Sequence, residues 1–221
     1  MKLALFDLDH TLIPFDSGLA WTRFLIHRGV LPASAEETYL GHARQYVAGT
    51  LDMRAMHYAG VAPLAAFERP VLDGWAREFE ATMAPRIPAA MRELVRAHQD
   101  AGDLCAIVTA TTRLVAAPFA RLFGVSHLIA TEAATADGRL TGGIEGEPCF
   151  RQHKVTHVTH WLATAFEPSP GLHEFDQSWF YSDSVSDLPL LEAVSHPVAV
   201  RPDERLLAHA LQHGWPVMRA G

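Results

Sequence analysis

Residues 3–12 read LALFDLDHTL, an apolar run that ends at two aspartates separated by one residue and followed closely by a threonine. An apolar run of this length that stops at a polar break predicts a buried β-strand. In an open parallel sheet, ligands bind at the carboxyl ends of the strands. Asp7 and Asp9 are therefore expected to emerge at a binding crevice.

The close spacing of these two carboxylates limits the kinds of ligand that can bind at the crevice. They repel each other and raise each other's pKa unless a cation or hydrogen-bond donors intervene. Magnesium commonly binds through one or two carboxylates together with a substrate phosphate. The stretch thus favours metal-assisted phosphoryl chemistry. A short D-x-D-x-T pattern also occurs at helix N-caps and solvated turns, where Thr11 would serve only as a cap.

The composition is that of a globular protein. At 221 residues, 49% of them apolar, the chain is long enough for a core domain and a smaller insertion. A net charge of -7 without a basic run argues against nucleic acid and anionic membrane surfaces as partners. Cys105 and Cys149 form no disulfide pattern, and neither a membrane span nor a secretion signal is recognisable. We therefore expect a cytoplasmic location.

The chain after the first strand predicts only helices until about residue 83. They are expected at Ser17–His27, Ala35–Ala48, Asp52–Ala59 and Ala65–Thr82. Pro85 and Pro88 mark the end of this block. We therefore predict a small all-helical cap domain, residues 15–84, which is inserted after the first strand and lies over the crevice.

The rest of the chain alternates strands with helices, which predicts parallel β-α units with right-handed crossovers. Strands are predicted at Leu104–Thr109, His127–Thr131, Ser178–Ser182 and Pro197–Val200. Helices are predicted at Pro88–Ala101, Thr112–Phe123, Gln152–Ala165, Ser186–Val194 and from Asp203 onward. The pair Asp137-Gly138 predicts a β-hairpin, and residues 166–177, with Pro168, predict a loop. The fold class is α/β, with a Rossmann-like core of parallel strands over residues 1–14 and 85–221.

The predicted strand ends present Asp7, Asp9, Thr109 and Asp183, and Lys154 begins a helix between the last two. A carboxylate can attack phosphorus to form an aspartyl-phosphate, and a second, protonated acid can give its proton to the leaving oxygen. A lysine and a threonine hydroxyl can hold the non-bridging phosphate oxygens. A further aspartate can complete a metal site. Each residue type thus meets one requirement of phosphoryl transfer.

Each of these residues also has an alternative structural role. Thr109 could cap the following helix, and Lys154 could be a surface lysine. Asp183 could belong to an ordinary turn, and Asp187 could be an acid favoured at a helix N-terminus. The order of the residues and their placement at element boundaries favour the functional role.

Four segments in this order resemble the sequence motifs of the haloacid dehalogenase superfamily. They are residues 7–11 (DLDHT), the strand into Thr109, Lys154, and residues 183–188 (DSVSDL). With the helical insertion directly after the first motif, the chain is most similar to the phosphoserine-phosphatase-like members, subfamily IB. The resemblance covers nearly the whole chain. Asp9 argues for a phosphatase or phosphotransferase, since the dehalogenase branch lacks this second acid.

The resemblance implies a role for each motif residue. Asp7 is the expected nucleophile, and Asp9 is the general acid that later acts as the base activating water. Thr109, the backbone amide of Ala110 and Lys154 are expected to bind phosphate. These roles together describe hydrolysis through an aspartyl-phosphate.

The cofactor that the resemblance implies is Mg2+. Asp7, Asp183 and the backbone carbonyl of Asp9 are expected to hold it. Asp187 is expected to be a supporting acid that positions Lys154 or the water shell of the metal.

Substrate selectivity is expected to come from the cap and from the loop leading into it. In phosphoserine phosphatases an acidic residue shortly after the first motif contacts the substrate amine, and Asp16 falls there, one methylene shorter than the usual glutamate. A more apolar pocket could be lined by Phe15, Met53, Met56, Tyr58 and Trp75. The glycines usual in the later motifs are replaced, by Ala110-Thr111 and by Ser182, Ser184 and Ser186. These departures argue against assigning phosphoserine itself.

The sequence therefore predicts a magnesium-dependent phosphatase that hydrolyses a small phosphorylated metabolite through an aspartyl-phosphate. A phosphotransferase that passes the same phosphoryl group to an alcohol is the close alternative. A non-catalytic phospholigand-binding protein is the alternative from another class, and Asp9 argues against it because binding needs no second acid. The exact substrate, the oligomeric state and the pathway stay open.

Overall fold

The computed structural model describes residues 1–167 and 170–219. The strands within these ranges are β1 (Lys2–Phe6), β2 (Leu104–Thr112), β3 (His127–Ala136), β4 (Arg139–Glu145), β5 (Gln177–Ser182), β6 (His196–Val200) and β7 (Val217–Met218). They form one sheet in the order β4-β3-β2-β1-β5-β6-β7. Neighbouring strands are parallel except for β3 and β4, which are antiparallel. The predicted α/β fold with a mainly parallel sheet is confirmed.

The α-helices of the described ranges are α1 (Ser17–His27), α2 (Ser34–Ala48), α3 (Met53–Val61), α4 (Arg69–Met83), α5 (Ala89–Asp100), α6 (Arg113–Phe123), α7 (Gln152–Ala165), α8 (Leu188–Leu191) and α9 (Glu204–His213). Most of them pack on one of the two faces of this sheet. None of the helices in the described ranges is both long enough and apolar enough to span a bilayer.

Strand β1 lies at the centre of the sheet, between β2 and β5. Successive side chains of a strand point to opposite faces, so Leu3 and Leu5 pack on one side and Ala4 and Phe6 on the other. All four are fully buried, because α1, α4, α5 and α6 cover one face and α7, α8 and α9 the other. Burial on both faces explains the unbroken apolar run before Asp7.

The elements between residues 17 and 83 are all helices and none is a strand, as predicted. Helices α1 and α4 pack directly into the core of the sheet, since Trp21, Leu25 and Phe79 belong to the same buried cluster as Phe6. Helix α2, in contrast, contributes no buried residue. The limits of the cap domain at 15 and 84 stay a prediction.

The β-hairpin predicted from Asp137-Gly138 is confirmed. Asp137 and Gly138 join β3 to β4 with φ angles of 50° and 77°, and positive φ at both central residues is typical of the type I′ hairpin turn. Strand β3 extends beyond the predicted Thr131 because its second half pairs with β4.

Two helix boundaries differ from the prediction for reasons connected with proline. The helix predicted from Ala65 begins only at Arg69, because Pro70 lacks an amide hydrogen and fits the first turn but not the interior of a helix. The helix predicted from Ser186 to Val194 is reduced to α8, which also has a proline in its first turn and follows a 3-10 turn.

Three further differences concern strands and loops. Strand β2 continues beyond Thr109 to Thr112, with an irregular register against β3 between Val108 and Thr112. The two-residue strand β7 was not predicted, since it is too short to show a periodic pattern. In the predicted loop 166–177, Pro168 lies outside the described residues.

Candidate active site

The site lies at the carboxyl ends of the central strands β1, β2 and β5. Asp7 follows β1 directly, and its backbone amide donates a hydrogen bond to the carbonyl of Tyr181 in β5 at 2.9 Å. This bond extends the pairing of the two strands by one residue and fixes the position of Asp7. The Asp7 residue is 7% exposed, so its carboxylate borders the crevice without being freely hydrated.

A buried lysine bridges the first and last motifs. Nζ of Lys154, at the start of α7, donates to Oδ1 of Asp7 and to Oδ2 of Asp187, both at 2.7 Å. Ser182 at the end of β5 also donates to Oδ2 of Asp187, at 2.7 Å. Burial of Lys154 opposes its charge, but Asp187 and Asp7 outweigh this effect and raise its pKa. The lysine therefore stays protonated and supplies a fixed positive charge.

Asp9 is held by two donors from different elements. Its Oδ1 accepts from the backbone amide of Ser17 at 2.6 Å, and its Oδ2 accepts from the hydroxyl of Thr111 at 2.7 Å. Burial and the nearby Asp16 raise the pKa of Asp9, whereas the two donors act in the opposite direction. A carboxyl group with opposing influences of this kind can serve both as an acid and as a base.

Asp183 follows β5 and faces Asp7. Its Oδ1 accepts a hydrogen bond from the hydroxyl of Thr11 at 3.0 Å. Burial, followed by the repulsion from Asp7, raises the pKa of Asp183 to about 8. The pKa of Asp7 is raised to about 7 by burial, against the lowering effect of Lys154. The two carboxylates therefore lack a sufficient counter-charge within the protein.

This arrangement fits a hard divalent cation. Among the described residues, the hydrogen bonds to the carboxylates of Asp7 and Asp183 use Oδ1 of each. The Oδ2 atoms and the carbonyl of Asp9 are oxygen ligands of the kind that Mg2+ prefers, and substrate and water commonly complete its shell. The described residues contain no group of three or more His, Cys, Asp or Glu side chains that could hold a metal. A magnesium ion would thus depend on a backbone carbonyl.

The predicted phosphate-binding residues lie at the irregular end of β2. Thr109 is 1% exposed, and its hydroxyl oxygen accepts from the amide of Thr111 at 3.2 Å. The carbonyl of Ala110 accepts from the hydroxyl of Thr131 at 2.7 Å. These bonds hold the backbone at Ala110 where β2 departs from its register with β3.

A cavity of about 770 Å3 connects these groups with helices α1, α2 and α3. Eight of the nine predicted site residues line it: Asp7, Asp9, Asp16, Thr109, Ala110, Lys154, Asp183 and Asp187. The structure does not bring Phe15 to this cavity; its ring packs against Phe119, and Arg86 lies over it at 3.9 Å. Of the other apolar candidates, Met53 and Met56 line the cavity, whereas Trp75 packs on Phe67 and Tyr58 is 61% exposed.

Asp16 both caps a helix and lines the cavity. It caps the N-terminus of α1, where its Oδ1 accepts from the amide of Leu19 at 2.7 Å. The same oxygen accepts from the hydroxyl of Tyr39 in α2 at 2.6 Å. Its carboxylate thus ties α1 to α2 at the edge of the site.

Several polar residues that position the site were missed by the sequence argument. Their side chains or amides contact carboxylates of the candidate site: Thr11, Ser17, Thr111 and Ser182. Tyr46 was missed as well; its hydroxyl lies 2.7 Å from Oγ of Ser184 and 3.0 Å from Oγ of Ser186. The one signal in the sequence was that Thr11, Thr111 and Ser182 lie next to or within the motifs. The contacts of Thr11 and Thr111 follow no local pattern, because their partner carboxylates lie 172 and 102 positions away in sequence.

Comparison with known proteins places this geometry in a family. The sequence model of the haloacid dehalogenase-like hydrolase family matches residues 4–192 of this chain. A Neisseria meningitidis protein named histidinol-phosphatase is 41% identical over 220 residues, which are 98% of each chain. A phosphoserine phosphatase of Mycobacterium tuberculosis is 31% identical over 226 residues, 97% of this chain and 69% of that one.

Solved structures agree with the fold. A crystal structure of a Bordetella pertussis protein with unknown function has a TM-score of 0.90 at 44% identity. The match covers 98% of this chain and 97% of that one. A substrate-bound phosphoserine phosphatase has a TM-score of 0.62 at 18% identity, and the match covers 96% of this chain and 97% of that one. At this identity the similarity concerns the fold alone. The resemblance inferred from the motifs is confirmed: the chain belongs to the haloacid dehalogenase-like hydrolase family.

Proposed function

We propose that this phosphatase of the haloacid dehalogenase-like family is magnesium-dependent and hydrolyses a small phosphomonoester through an aspartyl-phosphate on Asp7. One observation carries the proposal. The carboxylate of Asp7 is held at 2.7 Å by the ammonium of Lys154, and a second acid, Asp9, lines the same cavity. A nucleophile, a cation for the phosphate and a proton donor are thus assembled at one point.

The first half of the reaction forms the intermediate. An oxygen of Asp7 attacks the phosphorus, and the bond from phosphorus to the ester oxygen breaks. Asp9 gives its proton to that leaving oxygen, so the alcohol departs neutral. The ammonium of Lys154, the hydroxyl of Thr109 and the amide of Ala110 stabilise the non-bridging oxygens of the transferring group.

The second half releases phosphate. A water molecule attacks the phosphorus of the aspartyl-phosphate, and Asp9, now ionised, takes a proton from it. The bond between phosphorus and Asp7 breaks, which regenerates the Asp7 carboxylate and frees inorganic phosphate. The hydrogen bonds from Ser17 and Thr111 to Asp9 favour the ionised form that this step needs.

Asp7, Asp183 and the carbonyl of Asp9 are the residues that would hold Mg2+. When bound, the ion supplies positive charge that screens the attacking carboxylate from the phosphate. The raised pKa values of Asp7 and Asp183 support this assignment, because each carboxylate needs a counter-charge to ionise fully at neutral pH.

For the substrate we propose histidinol phosphate. Support comes from the Neisseria meningitidis histidinol-phosphatase, which aligns with this chain over 98% of both. The cavity volume of about 770 Å3 is in the range that ligand pockets occupy. Asp16 is a carboxylate in the cavity wall that can pair with the amine of an amino alcohol.

The proposal is tested with p-nitrophenyl phosphate, in magnesium and in a chelator, followed by a panel that contains histidinol phosphate and phosphoserine. We expect turnover only with magnesium, loss of turnover in Asp7→Asn, and the highest kcat/KM for histidinol phosphate. Activity retained in Asp7→Asn would sink the covalent mechanism. Phosphate appearing on added acceptor alcohols would identify a phosphotransferase, and magnesium binding without turnover of any ester would identify a binding protein.

A further inference from the structure

The segment after β6, residues 201–203 (RPD), contacts the loops that follow two other strands. Arg201 and Asp203 both line the cavity, and neither belongs to the motifs described above. Strand β6 is separated from β1 by β5, so the segment reaches the loop after β1 across the end of β5. It thereby connects the two loops that carry the proposed magnesium ligands.

The guanidinium of Arg201 holds the loop after β1. Its Nη2 donates to the carbonyls of His10 and Thr11 at 2.8 and 2.5 Å, and its Nε donates to the carbonyl of His10 at 3.1 Å. His10 and Arg201 have positive φ angles, 58° and 44°. Such a backbone conformation is uncommon for residues other than glycine and persists where the surroundings enforce it. The three hydrogen bonds supply this enforcement at His10, the residue after Asp9.

Asp203 holds the loop after β5. Its backbone amide donates to the carbonyl of Asp183 at 2.8 Å, and its Oδ2 accepts from the amide of Val185 at 2.7 Å. Its other oxygen, Oδ1, caps α9 by accepting from the amides of Arg205 and Leu206 at 2.9 and 2.8 Å. Asp203 is thus anchored to a helix and fixes the backbone at Asp183.

We propose that Arg201 and Asp203 are positioning residues for the magnesium site, because they set the spacing between the loop after β1 and the loop after β5. The hydroxyl of Thr11, whose carbonyl Arg201 holds, donates to Oδ1 of Asp183 at 3.0 Å, so the two loops also meet directly. Mg2+ demands near-ideal octahedral geometry, so a change in the spacing between the Asp9 carbonyl and Asp183 weakens its binding. The inference rests on the proposed function, which assigns these ligands.

The test measures the dissociation constant of magnesium by calorimetric titration of the metal-free protein. Arg201→Met removes all three hydrogen bonds of the guanidinium. We expect the dissociation constant to rise about 10- to 100-fold, the range found when groups that orient metal ligands are replaced. Arg201→Lys keeps the charge but lacks the planar fork of donors, so it should recover only part of the loss.

Asp203→Asn separates the two roles of that side chain. Asparagine is also favourable at a helix N-cap, so α9 should stay capped, whereas the side-chain NH2 cannot accept from the amide of Val185. We expect the dissociation constant to rise about 3- to 10-fold for the loss of one hydrogen bond. The matched control is Arg205→Met, at an exposed arginine outside the cavity, which should leave the constant unchanged.

Turnover of p-nitrophenyl phosphate at saturating magnesium gives a second readout. Arg201 holds the loop that carries Asp9, the proposed acid and base. We therefore expect kcat to fall more than KM rises in Arg201→Met. A rise in KM with an unchanged kcat would contradict the positioning of Asp9 by this residue.

The possible failures can be told apart. A lower melting temperature of Arg201→Met with an unchanged magnesium dissociation constant would show a structural role only and overturn the inference. Full recovery in Arg201→Lys would assign the effect to charge and overturn it as well. Wild-type protein that binds no magnesium would overturn the metal assignment of the proposed function and the inference with it. If Arg201→Met fails to fold, Arg201→Lys and Asp203→Asn decide, and the covalent chemistry is judged separately by Asp7→Asn.

Discussion

The hydroxyl of Thr111 donates a hydrogen bond to Oδ2 of Asp9 at 2.7 Å, which ties the end of β2 to the loop after β1. The first residue lies 102 positions after the second, and the two meet only because β1 and β2 are neighbours in the sheet. In the proposed mechanism Asp9 is protonated in one half of the reaction and ionised in the other, so a donor to its carboxylate would influence both halves.

Replacing Thr111 with valine is expected to slow the second half of the reaction. Loss of the donor disfavours the ionised carboxylate, so the pKa of Asp9 rises and less of it can act as a base. We expect kcat to fall about 10-fold, less than the roughly 100- to 10,000-fold that a positioned acid–base group contributes in full, because Asp9 itself is kept. The pH optimum of kcat should move upward. Thr111→Ser keeps the hydroxyl and should restore both values, whereas an unshifted pH profile in Thr111→Val would contradict the role.

Replacing Lys154 with methionine is expected to reduce stability as well as activity. Lys154 and Asp187 are each 2% exposed, and removing one member of a buried ion pair commonly costs about 3–5 kcal/mol. Urea unfolding should show this loss in free energy of unfolding. The matched control is Lys2→Met, which changes an exposed lysine at the other end of β1. Equal stability of the two variants would argue against the network.

The stability of the metal-free protein is expected to fall as the pH rises from about 4 to about 8. The carboxyls of Asp7 and Asp183 titrate near pH 7 and 8 in the folded protein, against an ordinary value of 3.8. The folded state therefore binds more protons than the unfolded state in this window, which makes the slope negative. Melting temperatures measured in a chelator across this pH range should show the decrease in stability. The variant Asp183→Asn should show a smaller decrease with pH.

Magnesium is expected to raise the melting temperature more at pH 8 than at pH 6. At the lower pH the ion must displace protons from Asp7 and Asp183, which weakens its binding. Parallel melts with magnesium and with chelator measure the difference. Stabilisation of the same size at both pH values, or stabilisation that persists in Asp183→Asn, would argue against these ligands.

Replacing Tyr46 with phenylalanine is expected to weaken the contact between α2 and the segment that follows β5. The hydroxyl of Tyr46 lies within hydrogen-bond distance of Ser184 and Ser186, which follow Asp183. Removing it leaves α2 without this contact while keeping the ring. We expect faster hydrogen exchange in α2 and a KM about 3- to 10-fold higher, from hydrogen bonds of about 0.5–1.5 kcal/mol. Tyr58→Phe, at a tyrosine that is 61% exposed, is the control and should change neither.

The order of elements and the identity of the motif residues could be predicted from sequence because they are local properties. The apolar run before Asp7 marks a strand buried on both faces, and the polar residues that follow it mark the strand end. A tight hairpin turn requires positive φ at two successive positions, which Asp137 and Gly138 can adopt. Such signals lie within a few residues of each other, so no knowledge of packing is needed.

Tertiary structure alone decided which partners these residues meet. Lys154 lies 147 positions from Asp7 and 33 from Asp187, yet contacts both, and no local pattern specifies that geometry. The same holds for Phe15, which is adjacent to Asp16 in the chain but packs against Phe119 rather than lining the cavity. Burial raises or lowers a pKa only after the chain has folded, so the states of Asp7, Asp183 and His57 were likewise decided by packing.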